Sequence, residues 1–176
     1  YQLIDMSSLG DLGGAIVALL IYEFGVYFWH RSMHKSNFLW RIFHQMHHSA
    51  ERVDTYGAFF FSPMDMIGFT LLTSLALVVA GGFTVQATIY AIYGATFLAV
   101  IQHANIKTPQ WMGYIFQRPE SHSVHHAKGV HAFNYSDLPL FDIILGTFNN
   151  PKEFASDTGF YNGASTRIVE MMMFKD

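Results

Sequence analysis

The chain has 176 residues, 51% of them hydrophobic and 13% charged, with a formal net charge of −3 and no cysteine. Soluble domains carry about 25% charged residues, so the scarcity of charge and a mean hydropathy of +0.22 point to lipid contact. Disulfides and thiolate metal sites are excluded, and nothing in the charge suggests nucleic-acid binding.

The length suits one unit, residues 1–176, rather than several domains. The start at Tyr1 rather than Met leaves room for an upstream part, and no signal peptide is expected because the start lacks a basic region and a cleavage signature. Leu12 to Trp29 is apolar apart from Glu23. Met66 to Val79 is a second apolar run, and Val85 to Ile101 a third, after a Gly81-Gly82 break. A spanning helix needs roughly 17–25 residues; the second run reaches that length only with its flanks. Three such runs would leave a soluble protein of this size little polar surface, so they are read as membrane spans.

Between the first two runs, His30–Ser62 is expected to be largely helical, with a break at Ser62-Pro63. Pro109 to Pro119, with Trp111, Met112, Tyr114, Ile115 and Phe116, reads as an interfacial piece. The tail Asn149–Asp176 contains Met171-Met172-Met173-Phe174, expected to pack on the core. All ten Lys and Arg fall in Arg31–Arg52, Lys107–Lys128 or Lys152–Lys175. Three spans from an outside N-terminus put all ten on one face, which the positive-inside rule makes cytoplasmic. The expected fold is all-α, without β-sheet: an integral-membrane bundle of about three spans with a cytoplasmic helical cap. Labelling from outside should then reach Gly82 but not Ser49 or Lys128.

That cap holds the chemistry. His30 and His34 form HxxxH, His44, His47 and His48 form HxxHH, and His122, His125 and His126 form a second HxxHH. Residues at i, i+3 and i+4 share a helix face, so each motif gathers imidazoles, which suit iron, zinc, copper and nickel. Eight histidines exceed the four ligands of one tetrahedral site, so two metals are expected. His103 ends the third span beside Gln102. His131 follows His126 by five residues, and Gly129 allows the chain to turn back, so His131 is a candidate tenth metal-site residue. The clusters lie where spans end, so a lipid chain is expected to reach them between the helices.

Taken in order, Trp29-His30-Arg31-Ser32-Met33-His34, Phe43-His44-Gln45-Met46-His47-His48-Ser49 and His122-Ser123-Val124-His125-His126 resemble the fatty acid hydroxylase/sterol desaturase superfamily of membrane histidine-motif di-iron oxygenases. The match runs from about Tyr22 to Phe148 and includes Asn134-Tyr135 and Phe141-Asp142…Gly146-Thr147. The resemblance implies His30, His34, His44, His47, His48, His103, His122, His125 and His126 as catalytic metal ligands. It also implies two irons (with zinc a possible substitute), dioxygen, an external electron donor such as cytochrome b5, ferredoxin or a reductase, and a lipid substrate. The membrane would be the bacterial inner membrane or the endoplasmic reticulum. Such families often carry a further span upstream.

Glu23, an acid within a span, is a candidate to hold a ligand imidazole, and Asn134 and Asp142 are candidates for the same role. Trp40 and Phe59–Phe61 are expected chiefly as interfacial anchors, with lining of a lipid channel the other reading. The expected function is oxygen-dependent lipid hydroxylation. The alternatives are sterol or fatty acyl desaturation with the same centre, and, of another class, a non-redox zinc-binding membrane protein. The absence of HExxH and of a Ser or Cys nucleophile motif weighs against hydrolysis.

Overall fold

The computed structural model describes residues 2–175. Its helices in chain order are α1 (Gly10–Lys35), α2 (Asn37–Leu39), α3 (Gln45–His48), α4 (Pro63–Ser74), α5 (Val85–Gln102), α6 (Pro119–His125), α7 (Leu140–Ile144) and α8 (Ile168–Met172). Two π-helical stretches, Trp40–His44 and Leu75–Ala80, join α2 to α3 and extend α4. Ser7–Lys35, Pro63–Ala80 and Val85–Gln102 are each long and apolar enough to cross a membrane.

The chain starts and stops these spans with local chemistry. Ser62 caps α4 by accepting from the Asp65 amide at 3.1 Å, with Pro63 in the first turn. Thr84 caps α5 through the Ala87 amide at 3.0 Å and donates its hydroxyl to Asp11 at 2.6 Å, which ties the starts of α5 and α1 together. α1 lies along α5 over small residues. A Cβ on Gly14 would stand 2.9 Å from the Ala87 Cβ, a closeness that small residues permit between spans. Ala18, Ala76, Leu77 and Ala91 form the buried centre. The opposite faces expose Leu12, Ile16, Leu71, Val78, Tyr93 and Phe97. Such a surface suits acyl chains, which need no polar partner.

Three expectations change. The expected absence of β-sheet gives way to one small exception: β1 (Ile4–Asp5) pairs in parallel with β2 (Gly81–Gly82). The segment before α1 runs beside the Gly81-Gly82 turn, whose backbone groups no helix satisfies, and flanking bonds such as Leu3 N–H to the Val79 carbonyl at 2.8 Å extend the pairing. The stretch after His30 is helical only through His48; from 49 to 62 it is irregular, apart from one 3₁₀ turn at Gly57–Phe59. In the tail, Met171 is buried and its carbonyl accepts from Gln45 at 3.3 Å, whereas Met172, Met173 and Phe174 stay exposed.

The arrangement puts the histidines at one end of the bundle. His30 and His34 lie in the last turns of α1, His103 caps α5, and α4 begins at that same end. α2, α3, α6 and α7 cover this end.

Candidate metal centre

The nine histidines of the motifs and the α5 cap meet in two groups. His30, His34, His44, His48 and His125 form one, and His47, His103, His122 and His126 the other. In each group one ligand nitrogen per residue lies within 4.8 Å of all the rest. An imidazole–metal bond of about 2.0–2.1 Å places opposite ligands about 4.2 Å apart, so each group is within reach of one ion. The groups abut: His48 of the first stacks on His126 of the second, ring centres 4.0 Å apart.

Each HxxHH motif is divided. The i and i+4 members, His44 and His48 or His122 and His126, join one group, while the i+3 member, His47 or His125, joins the other. The expected single face is therefore two faces, and each motif bridges both groups. At His44, the last residue of the π-helical turn, the helix is interrupted, with φ −141°. Such turns widen a helix locally and recur at functional sites.

Hydrogen bonding fits a cation in each group. His30 and His125 donate Nδ1–H to the carbonyls of Tyr135 and Phe133 at 2.7 and 2.6 Å. In neutral rings this leaves both Nε2 atoms bare, yet they lie 2.9 Å apart. Facing lone pairs repel at that distance unless a positive charge lies against them. In the second group His103 donates Nδ1–H to the Ala99 carbonyl at 2.7 Å, and its bare Nε2 lies 2.9 Å from Nε2 of His122. Buried nitrogens of His34, His44, His47, His48, His122 and His126 have no hydrogen-bond partner, and unpartnered buried polar atoms are costly. Burial holds His44, His47, His48, His122, His125 and His126 well below the usual imidazole range, and His103 down to about 4. Rings kept neutral are rings ready to ligate.

His131 belongs to neither group. Its Nδ1 lies 3.1 Å from Nδ1 of His48, and its ring packs on Trp40 and Phe160. The loop around it is strained: His131, Phe133 and Asn134 have φ of +41°, +70° and +51°, conformations that persist only when surroundings enforce them. Asp142 does much of the enforcing, accepting from the amides of Tyr135 and Ser136 at 2.8 and 3.0 Å. Asn134 ties the loop to Ser121 and Asn149. Neither side chain hydrogen-bonds an imidazole of the two groups; the loop's carbonyls do. Glu23, fully buried, likewise grips this loop, accepting from the amides of Asp137 and Leu138 at 2.8 and 3.1 Å.

Three features were not anticipated from sequence. Arg118, 1% exposed, donates to the Thr108 and Pro151 carbonyls and to Asn150, and pairs with Glu120 at 2.8 Å, locking the start of α6. Its signal was the Arg-Pro-Glu run just before the second HxxHH. Asp65 stands 3.4 Å from Nδ1 of His44; an acid in an otherwise apolar run marks it by the rule applied to Glu23. The third is a cavity of about 190 Å³ reaching both groups from between α1, α4 and α5, lined by Val26, Phe61, Phe69, Ala95 and Ala99 and by His30, His47 and His103. Phe59 and Phe61 thus line a slot rather than only anchoring an interface, and Trp40 packs on His34 and His48 with ring centres 5.0 Å apart in each case.

A family model described as fatty acid hydroxylase matches residues 15–147. The chain is 31% identical over 142 residues to an ornithine lipid hydroxylase, OlsE, of Rhizobium tropici, covering 77% of this chain and 42% of the relative. It is 28% identical over 137 residues to sphinganine C4-monooxygenase 2 of Arabidopsis thaliana, covering 76% and 53%. It is also 28% identical over 140 residues to very-long-chain aldehyde decarbonylase GL1-9 of Oryza sativa subsp. indica, covering 75% and 53%. The chain thus spans about half the length of these relatives. No solved structure matches it significantly.

Proposed function

From the premise that this chain belongs to the fatty acid hydroxylase family, we propose that it is an oxygen-dependent lipid hydroxylase whose two histidine groups each hold one iron at the cytoplasmic end of a membrane bundle. The observation that carries this reading is the pair of buried, all-nitrogen groups at the inner end of an apolar slot. When bound, the irons would supply dioxygen activation, one oxygen atom entering a C–H bond and the other leaving as water with two electrons and two protons. The protein's own work is positional. His30, His34, His44, His48 and His125 hold one ion, and His47, His103, His122 and His126 the other. His131 supports His48 from outside. Zinc, which shares the preference for imidazole, is the expected substitute when iron is scarce.

The slot sets the substrate class. Val26, Phe61, Phe69, Ala95 and Ala99 offer an apolar wall at the level of the spans, so an acyl or similar chain enters laterally while its head stays near the interface. Relatives named for an ornithine lipid and for sphinganine support a polar lipid. The one-sided basic residues support a cytoplasmic placement, where a cytochrome b5, ferredoxin or reductase would deliver electrons to the cap.

Labelled dioxygen tests this reading. Iron-loaded protein given a reductant and membrane lipids should place the label in a hydroxylated lipid. His47→Ala, His125→Ala and His126→Ala should each lose at least one iron and turnover while still inserting. Label confined to water together with a new double bond would reassign the chain as a desaturase. Turnover without oxygen, or a protein that takes zinc but never iron, would sink the oxygenase reading.

A further inference from the structure

Asp65 is the one acidic residue between Pro63 and Ala80, and its side chain is 0% exposed. Neither carboxyl oxygen has a hydrogen-bond partner. Oδ2 faces Nδ1 of His44 at 3.4 Å, and both nitrogens of His44 are themselves without hydrogen bonds. A lone buried carboxylate costs several kcal/mol. It persists where positive charge is close, and a metal-loaded imidazole supplies that charge.

The other groups that meet the cluster at hydrogen-bond distance are neutral, the Asp54 carboxylate acting on His103 only from farther off. His30, His103 and His125 donate to backbone carbonyls, and His48 meets His131. Among the described residues, His44 is the cluster histidine that faces a carboxylate, and it belongs to the five-histidine group. The start of α4 fixes this approach, because the Asp65 amide is held by Ser62 and the small residue Gly68 lets α4 close on Trp29 and Phe43, a Cβ there standing 2.9 Å from the Trp29 ring.

We propose that Asp65 is a positioning residue that acts through His44, holding Nδ1 so that Nε2 is left for the metal and placing a carboxylate directly against an imidazole of the five-histidine group. The five-histidine ion is then bound more tightly and is electronically distinct from its neighbour. A carboxylate behind a ligating imidazole raises its basicity, and removing such a partner typically lowers metal affinity about 10–100-fold. This inference rests on the two-metal reading above.

The test is anaerobic titration of the purified, metal-stripped protein with ⁵⁷Fe(II), read by stoichiometry and Mössbauer spectroscopy. Asp65→Asn should weaken one of two irons about tenfold or more and shift the spectrum of that iron alone, with the other unchanged. Asp65→Glu should recover part of the loss. In a His48→Ala background, which impairs the five-histidine group, Asp65→Asn should add little; in a His126→Ala background its effect should be undiminished. Asp65→Leu gives the same reading should the Asn variant fail to accumulate, since an apolar side chain is tolerated where a buried charge was. Two irons bound with unaltered affinity and spectra, or both weakened equally, would overturn the proposal. A starting protein that binds no iron would instead overturn the functional reading itself.

Discussion

Asp142→Ala probes the loop that orients two histidines of the five-histidine group. Asp142 is buried and accepts from the Tyr135 amide at 2.8 Å, the Ser136 amide at 3.0 Å and the Thr147 hydroxyl at 2.7 Å. The Thr147 hydroxyl has Tyr27 as another partner at 3.1 Å, so the substitution strands chiefly the two amides. A buried donor left unpaired costs about 1–3 kcal/mol, which gives roughly 2–6 kcal/mol for the pair. That approaches the whole stability margin of many domains, about 5–15 kcal/mol, and the loop already holds three non-glycine residues at positive φ. The loop should therefore open locally, withdrawing the Tyr135 and Phe133 carbonyls from His30 and His125. Iron stoichiometry with limited proteolysis over residues 129–138 is the assay. The expected result is cleavage in that loop and selective loss of the five-histidine iron. Asp142→Ala protein that keeps both irons and an uncut loop would refute the claim that these carbonyls depend on Asp142.

Two further outcomes follow from the slot and the topology. Ala99→Phe puts a ring into the cavity of about 190 Å³ beside His103; both irons should remain while turnover of long-chain lipids falls at least tenfold, and unchanged chain-length preference would show that substrate does not enter there. Cysteines at the exposed positions Gln86 and Lys128 should label from opposite sides of the membrane, Gln86→Cys from outside and Lys128→Cys only after permeabilisation, and the reverse pattern would invert the orientation. Ser49, 0% exposed, is unsuitable for that test because burial alone would block the reagent.

The spans were legible because length and apolarity alone decide whether a helix can cross a bilayer. α5, Val85–Gln102, is within one residue of the apolar run that announced it. The region from 49 to 62 was less legible, because its turns are built on single short-range bonds, such as those that Asp54 accepts from the Tyr56 and Gly57 amides, which leave no period in the sequence. The acceptors at Phe133 and Tyr135 were invisible for a related reason: any residue has a carbonyl, and only the fold reveals which one meets His125 or His30. Asp142 and Glu23 stand out in the sequence as candidates to hold an imidazole, but they hold that loop by its amides instead.

The division of each HxxHH motif follows from helix geometry. At 3.6 residues per turn, successive side chains are about 100° apart, so i+4 lies about 40° to one side of i and i+3 about 60° to the other. The members at i+3 and i+4 therefore diverge by about 100°. A single ion cannot collect both from a short rigid helix, whereas two adjacent ions can. α6 carries His122, His125 and His126 in this way, and the α3 motif repeats the pattern with His44, His47 and His48. Two such motifs facing each other give each group an i, i+4 pair from one motif and an i+3 member from the other: His44 and His48 with His125, and His122 and His126 with His47. The remaining donors, His30 and His34 from the end of α1 and His103 from the end of α5, complete five and four. Moving His125 one position along α6 would turn it about 100° away from His30; the one-residue spacing between adjacent histidines is thus what divides them between the two groups.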